Sequence, residues 1–253
     1  MITDDVAPLR YDVEPWFMSG FDFRCLWEAL GLDRLPFPLA YRNRQKYMRE
    51  VEADRRAAMA RQRSELTPDR VRILEALRYP AFLMLGFGRL GSGAEQQLYR
   101  LFGMIGTNGY SAVITQDPGP QLIFGEDIQI IGCVNADFPQ VVLEALPDFT
   151  GGTRPRKEAQ FADEKPADFF EDCPINASIL LGGSADFTHD YELRNANYLN
   201  LVNIADDGAY LVNEGTDSFQ IVPATIANLM AAFHKVEELQ LSAAERLSAV
   251  EMD

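Results

Sequence analysis

The sequence predicts an α+β fold in which helices pack around a mostly antiparallel β-sheet. From residue 80 onward, apolar or β-prone runs are separated by turn dipeptides too short to hold crossover helices. Four segments outside these runs show apolar residues at helical spacing. The order of elements also repeats: helices, meander and helix, then linker, meander and helix.

The first helix is expected over Asp22 to Leu30, where Phe23, Leu26, Trp27 and Leu30 share one face and Gly31 suits a left-handed stop. Leu35-Pro36-Phe37-Pro38-Leu39 cannot continue it, because each proline lacks a donor and holds its predecessor extended. A second helix, from about Asn43 to Ser64, is rich in helix formers but has a thin apolar stripe. A third starts at Thr67-Pro68-Asp69, with Thr67 as cap and Pro68 in the first turn. It buries Val71, Leu74 and Leu77 and ends at Tyr79-Pro80.

Strands are expected at Ala81–Gly88, Leu98–Met104, Tyr110–Thr115 and Gln121–Phe124, divided by Gly91-Ser92-Gly93, Thr107-Asn108-Gly109 and Asp117-Pro118-Gly119-Pro120. A helix follows over Phe138 to Leu146. Gly151 to Lys165, polar and without periodicity, reads as a loop or linker. Strands return at Ala177–Leu181, Tyr198–Asn203, Ala209–Val212 and Phe219–Val222, with Asp206-Asp207-Gly208 as a turn. The last helix begins after Pro223, carries Ile226, Leu229, Met230, Phe233 and Val236 on one stripe, and runs on toward Leu247. The expected organisation is a single domain over 1–253, with halves at 20–150 and 151–253.

Composition excludes several functions. With 38 Asp+Glu against 23 Lys+Arg, the chain carries −15, which disfavours nucleic acid and anionic membrane surfaces. An apolar fraction of 47% supplies a core, so the chain is not read as disordered. The start, Met1-Ile2-Thr3-Asp4-Asp5-Val6, has no basic patch before an apolar run, and the longest apolar stretch, Pro80–Gly88, is too short to span a bilayer. Cys25, Cys133 and Cys173 are widely spaced and read as reduced thiols, in keeping with a cytoplasmic location. With His189 and His234 as the only histidines, no His-rich metal site is expected.

Three patterns could carry chemistry. Gly86-Phe87-Gly88-Arg89-Leu90-Gly91 is a G-x-G-x-x-G after an apolar run, with Asp117 downstream, and a nucleotide-binding enzyme is the alternative it raises. That alternative requires Ala94 to Ile105 to be a crossover helix, although Gly103 and Gly106 would weaken it by about 1 kcal/mol each. A turn among hairpins is the favoured reading. Gly182-Gly183-Ser184 lies near His189 but lacks the nucleophile-elbow pattern. Asp206-Asp207 reads as a turn and Glu237-Glu238 as a solvated helix face, so no catalytic set, cofactor or metal is expected.

Charge is uneven along the chain. Tyr41 to Arg78 holds eleven basic and six acidic residues, a net +5, leaving −20 on the remainder. Such a segment either docks on the acidic rest of the protein or steers an acidic partner.

Leu26-Trp27-Glu28-Ala29-Leu30-Gly31-Leu32-Asp33-Arg34-Leu35-Pro36-Phe37-Pro38-Leu39 resembles the amino-terminal signature of the EspG-type proteins of actinobacterial ESX (type VII) secretion systems. Asp206-Asp207-Gly208-Ala209-Tyr210-Leu211-Val212, then Phe219-Gln220-Ile221-Val222-Pro223-Ala224, is similar to a second family segment. Ser111–Asp117 and Leu143–Pro147 look like the family's hairpin strand and helix end. The resemblance implies a quasi-twofold arrangement of one central sheet with helical bundles. It further implies a non-enzymatic cytosolic chaperone for a PE–PPE-like heterodimer or another helical ESX-type substrate. By order of elements, the partner would meet Thr107, Asn108 and Gly109 in a sheet turn and Ile226, Leu229, Met230 and Phe233 on the last helix. Without the resemblance, Leu229, Met230 and Phe233 read as the core face of that helix. Gly151 to Pro174 has room for only a short helix near Asp168 to Glu171, so the second bundle is expected to be reduced.

Overall fold

In the computed structural model, residues 14–43, 47–119, 121 and 124–250 are described, apart from the side chains of residues 245 and 247–250. The first half comprises β1 (Trp16–Met18), α1 (Gly20–Ala29), α2 (Met48–Glu65), α3 (Pro68–Arg78), β2 (Pro80–Leu90), β3 (Gln97–Gly106), β4 (Tyr110–Pro118), β5 (Gly125–Val134) and α4 (Phe138–Ala145). The second comprises β6 (Lys157–Gln160), α5 (Pro166–Phe169), β7 (Ile175–Ser184), the two-residue strands β8 (Asp186–Phe187) and β9 (Leu193–Arg194), β10 (Asn197–Ile204), β11 (Gly208–Glu214), β12 (Ser218–Pro223) and α6 (Ile226–Val250).

Ten of these strands form one sheet in the order β1-β5-β4-β3-β2-β7-β10-β11-β12-β6, and every pairing between neighbours is antiparallel. The order is palindromic in type. A four-strand meander and its following helix lie on each side of the β2–β7 junction, and a short strand closes each outer edge. The quasi-twofold axis therefore passes between β2 and β7, whose ladder runs from Leu83 opposite Ser184 to Leu90 opposite Ala177.

Local chemistry explains most boundaries. Ser19 caps α1 by accepting from the amide of Asp22, and Gly31 takes φ +85 just past its end. Thr67 caps α3 by accepting from the amide of Arg70, with Pro68 at the first position. α2 starts at Met48, whereas the sequence places its beginning near Asn43; Arg44 to Lys46 lie outside the described residues, as does the Met1–Val6 start.

Three expectations are corrected. The strand placed at Gln121–Phe124 is a turn, in which the amide of Phe124 donates to Gln121 and that of Gly119 to Phe124; residues 122 and 123 are outside the description. The real strand is β5, whose Ile128 and Ile130 face one core and Ile131 and Cys133 the other. The Gly151–Lys165 linker contains β6, which pairs with β12, and Gly151 bridges to Ala209. β6 reads as a loop because its Lys157-Glu158-Ala159-Gln160 sequence is that of a charged edge strand, a composition that blocks further pairing. Finally, Ala94 to Ile105 is not a crossover helix: a single 3₁₀ turn at Gly93–Glu95 leads into β3, which runs antiparallel to β2.

Three cores hold the layers. α4 and α6 cover one face, burying Phe138, Val141, Val142, Leu229, Phe233 and Val236 against Met84, Leu101, Ile179 and Leu201. On the other face, α1 and α3 bury Phe23, Trp27, Ile73 and Leu77 over the first half. Over the second half, among the described residues, the β6–α5 segment packs Phe161, Phe169 and Phe170 on Tyr210, Phe219 and Ile221, and the β8–β9 arm brings Leu193 against Gly182 of β7. Trp27 is fully buried, donates its indole N–H to the carbonyl of Arg34 at 2.6 Å, and meets Phe23, Phe102 and Tyr191 ring to ring. Burial of a ring that size is worth about 4–6 kcal/mol at ~25 cal/mol per Å².

Candidate partner-binding surface

Because α1, α3 and the β8–β9 arm cover one part of this face and the β6–α5 segment covers the far edge of the other, a strip along the axis is left open among the described residues. Pleating places Leu85 and Phe87 of β2, Leu180 of β7 and Tyr198 and Asn200 of β10 on it, since Phe87 pairs with Leu180, Leu180 with Asn200 and Gly182 with Tyr198. Leu180 is 36% exposed and Tyr198 47%. Phe37, 54% exposed, leans in from the proline loop with its ring 5.0 Å from that of Phe87. The Tyr198 ring lies on the backbone of Gly182, where a Cβ would come within 2.6 Å of it, so the glycine flattens the strip. Four large apolar or aromatic side chains grouped on an open sheet face form a surface suited to an apolar protein segment rather than to a small molecule.

Nothing local in the chain marks this strip. Ile179-Leu180-Leu181 reads as a strand buried on both faces, and only the tertiary arrangement shows that nothing in the described residues covers Leu180.

The residues expected to meet a partner fall elsewhere. Thr107, Asn108 and Gly109 form the exposed β3–β4 turn, anchored at its base: the amide and hydroxyl of Thr107 donate to the carbonyl of Tyr79, and the Asn108 amide to that of Arg72. Leu229 and Phe233 are buried beneath α6, Met230 is half-buried and Ile226 is 49% exposed. The two groups are not brought together. Gly106 lies opposite Pro80 at one end of β2, while the other end connects through Ala177, Asn203 and Ala209 to the end of β12 where α6 begins. An eleven-residue strand spans about 30 Å at ~3.3 Å per residue.

The remaining candidates resolve into structural roles. Gly86 and Gly88 sit inside β2, and a Cβ on Gly88 would overlap the carbonyl oxygen of Ser178 on β7; the spacing serves close strand approach. Gly91, at φ +76, makes the following turn. Without a strand–turn–helix context, this glycine pattern is not a dinucleotide site. Ser184 is fully buried and binds the carbonyls of Asp186 and Arg194, fixing the root of the β8–β9 arm, while His189 is exposed near its tip. The Asp207 carboxylate accepts from the amide and hydroxyl of Thr153 and from the hydroxyl of Tyr210, which hold its pKa below the ordinary aspartate value. It also pairs with Arg154 at 3.1 Å. Burial pushes the Cys25 thiol up to about 11, an inert thiol. Among the described residues no cluster of His, Cys, Asp and Glu is disposed to hold a metal, and no helix is long and apolar enough to cross a membrane.

The class so defined is an α+β protein with one quasi-twofold antiparallel sheet and, among the described residues, an exposed apolar seam across its centre. Within that class the chain belongs to the EspG family, whose sequence profile matches residues 21–168. The solved structure of the Mycobacterium tuberculosis type VII secretion system chaperone EspG5 in complex with a PE25–PPE41 dimer is similar, with a TM-score of 0.57, 11% identity, and coverage of 89% of this chain and 96% of that one. At that identity the likeness is one of fold. Comparison with curated proteins gives no significant match.

Proposed function

We propose that the protein is a non-enzymatic, cytoplasmic chaperone or adaptor that binds a helical type VII secretion substrate, a PE–PPE-like heterodimer, and keeps it soluble for export. The observation that carries the reading is the open seam of Phe37, Phe87, Leu180 and Tyr198 in a member of the EspG family. The similar EspG5 fold, solved with a PE25–PPE41 dimer, supports the partner class. A substrate tip that is apolar and helical would otherwise aggregate, and a flat aromatic strip covers such a tip without needing a deep pocket. The absence of a strand–turn–helix around Gly86, Gly88 and Gly91 supports a binding role over nucleotide chemistry.

The reading takes the chain as one domain whose halves, 20–150 and 151–253, join at the β2–β7 seam. It puts the main contact on that seam and leaves the exposed Thr107–Gly109 turn, and Ile226 and Met230 on the helix covering the opposite face of the sheet, as separate secondary contacts. The buried Leu229 and Phe233 then support the surface from below.

Co-expression with a PE–PPE pair encoded in the same genome tests this, with soluble yield and size-exclusion stoichiometry as readouts. A stoichiometric complex that is lost in Leu180→Asp/Tyr198→Asp, with the fold intact, is the expected result. A pair that is equally soluble alone and never co-elutes would overturn the reading.

A further inference from the structure

A second surface stands apart from the seam. α2 is an 18-residue helix of which only Ala58 and Gln62 are buried, and its attachment to α1 relies on Arg61 with Asp22 at 2.6 Å and Arg55 with Glu28 at 3.5 Å. A helix so polar on every side has little packing to hold it. Its outward side is nevertheless ordered in sequence. Arg49, Arg56 and Arg63 recur every seven residues, with Ala53, Ala57 and Ala60 between them, and all six are exposed. Glu52 stands at the edge of this stripe.

The internal contacts of these guanidiniums are neutral. Arg49 lies over the ring of Tyr47 at 5.6 Å, and Arg56 donates through Nε to the backbone carbonyl of Glu52 at 3.3 Å. Among the described residues, neither of them nor Arg63 pairs with a carboxylate. We propose that this face of α2 is a docking surface for an acidic helix of a partner protein, with Asp or Glu recurring once per heptad.

Period and charge select that occupant. Seven residues rise about 10.5 Å and drift only ~20° around the helix, so the arginines form a nearly straight ladder that another helix's own heptad spacing matches. The alanines let two helix axes approach closely between the rungs. A second copy of α2 would set arginine against arginine; the net +5 over Tyr41–Arg78 complements a short acidic helix, whereas an extended polyanion such as a duplex or a bilayer would also face the −20 on the remainder. Single exposed ion pairs contribute little, so the binding depends on all three rungs together and weakens with salt.

The test uses the full chain and a synthetic helical peptide with one glutamate per heptad on an alanine-rich face, beside the same peptide carrying glutamine. Titration calorimetry should show binding to the glutamate peptide, weakened about tenfold or more by Arg49→Gln/Arg56→Gln/Arg63→Gln, by the glutamine peptide or by high salt. The melting temperature should not move, because the three side chains are exposed; if the triple variant is destabilised, Arg63→Ala alone serves, with a smaller loss. Equal binding by variant and wild type, or no binding of the glutamate peptide, overturns the proposal. Arginine-dependent binding of a DNA duplex or phosphatidylserine vesicles in preference to the peptide also overturns it. The α2 variants should leave the seam complex intact, so the two readings fail separately.

Discussion

Tyr191, carried on the arm between β7 and β10, donates its hydroxyl to the backbone carbonyl of Leu77 in α3 at 2.7 Å. The residue belongs to the second half of the chain and the acceptor to the first. Its ring is buried beside Trp27 and Phe102 and stacks on Phe187, so the arm of one half completes the helical core of the other. The same surroundings push the phenol up to about 12, which keeps it protonated and donating.

Removing this clasp should cost stability in two separable steps. Tyr191→Phe leaves the Leu77 carbonyl without that donor and is expected to lose about 1–2 kcal/mol. Tyr191→Ala also empties the space beside Trp27 and should lose about 3–5 kcal/mol. Urea denaturation with an unchanged m-value checks both.

Two residues of the α6 stripe should behave oppositely. Phe233 is 4% exposed, so Phe233→Ala is expected to destabilise by about 3–5 kcal/mol. Ile226, on the same helix but open to solvent, should change stability by less than about 0.5 kcal/mol when replaced by Ala. Thermal melts of the pair check the contrast.

Gly88→Ala should be among the most damaging single substitutions, because the new Cβ meets backbone of β7 that cannot step aside. The expected loss is above about 3 kcal/mol, with poor soluble yield. NADH or ATP should leave the melting temperature of the wild type unmoved; a ligand-induced rise would restore the nucleotide reading.

Two carboxylates give pH dependences of opposite sign. Asp207, its pKa lowered mainly by the Thr153 amide, contributes stability that is present above its unfolded value of 3.8 and is lost as pH falls through the lower folded value. Glu237, its pKa raised by burial, favours folding when protonated, and that contribution is lost as pH rises from 4.5 through the folded value. Glu237→Gln should therefore raise stability at neutral pH and do little in acid, whereas Asp207→Asn should lower it at neutral pH and flatten the acid limb. Denaturation midpoints across the acid range would show either pattern failing.

Much of the fold was legible because its signals were local. The Phe23–Leu30 stripe with Gly31, the Thr67-Pro68 cap and the Asp206-Asp207-Gly208 turn each declare themselves within a few residues. β5 escaped notice because Ile128-Gln129-Ile130-Ile131 lacks an obvious turn before it, and β6 because an edge strand needs little apolar content. The family resemblance read at Leu26–Leu39 lies inside the matched segment. The seam was not legible, since whether Leu180 is covered depends on how far α5 reaches, and four helical residues do not reach it. Tyr191 was equally hidden: nothing near it in sequence says that its ring belongs under α3.

The ladder that joins β2 to β7 is backbone to backbone, with no loop-only junction between the halves. In the proposed seam complex the visitor would meet a surface already braced by that ladder, so the disorder surrendered on association would fall mainly on the visitor. Recognition by such a plate should be graded by how stiff each client's tip is before it arrives, with dissociation rates carrying most of the discrimination.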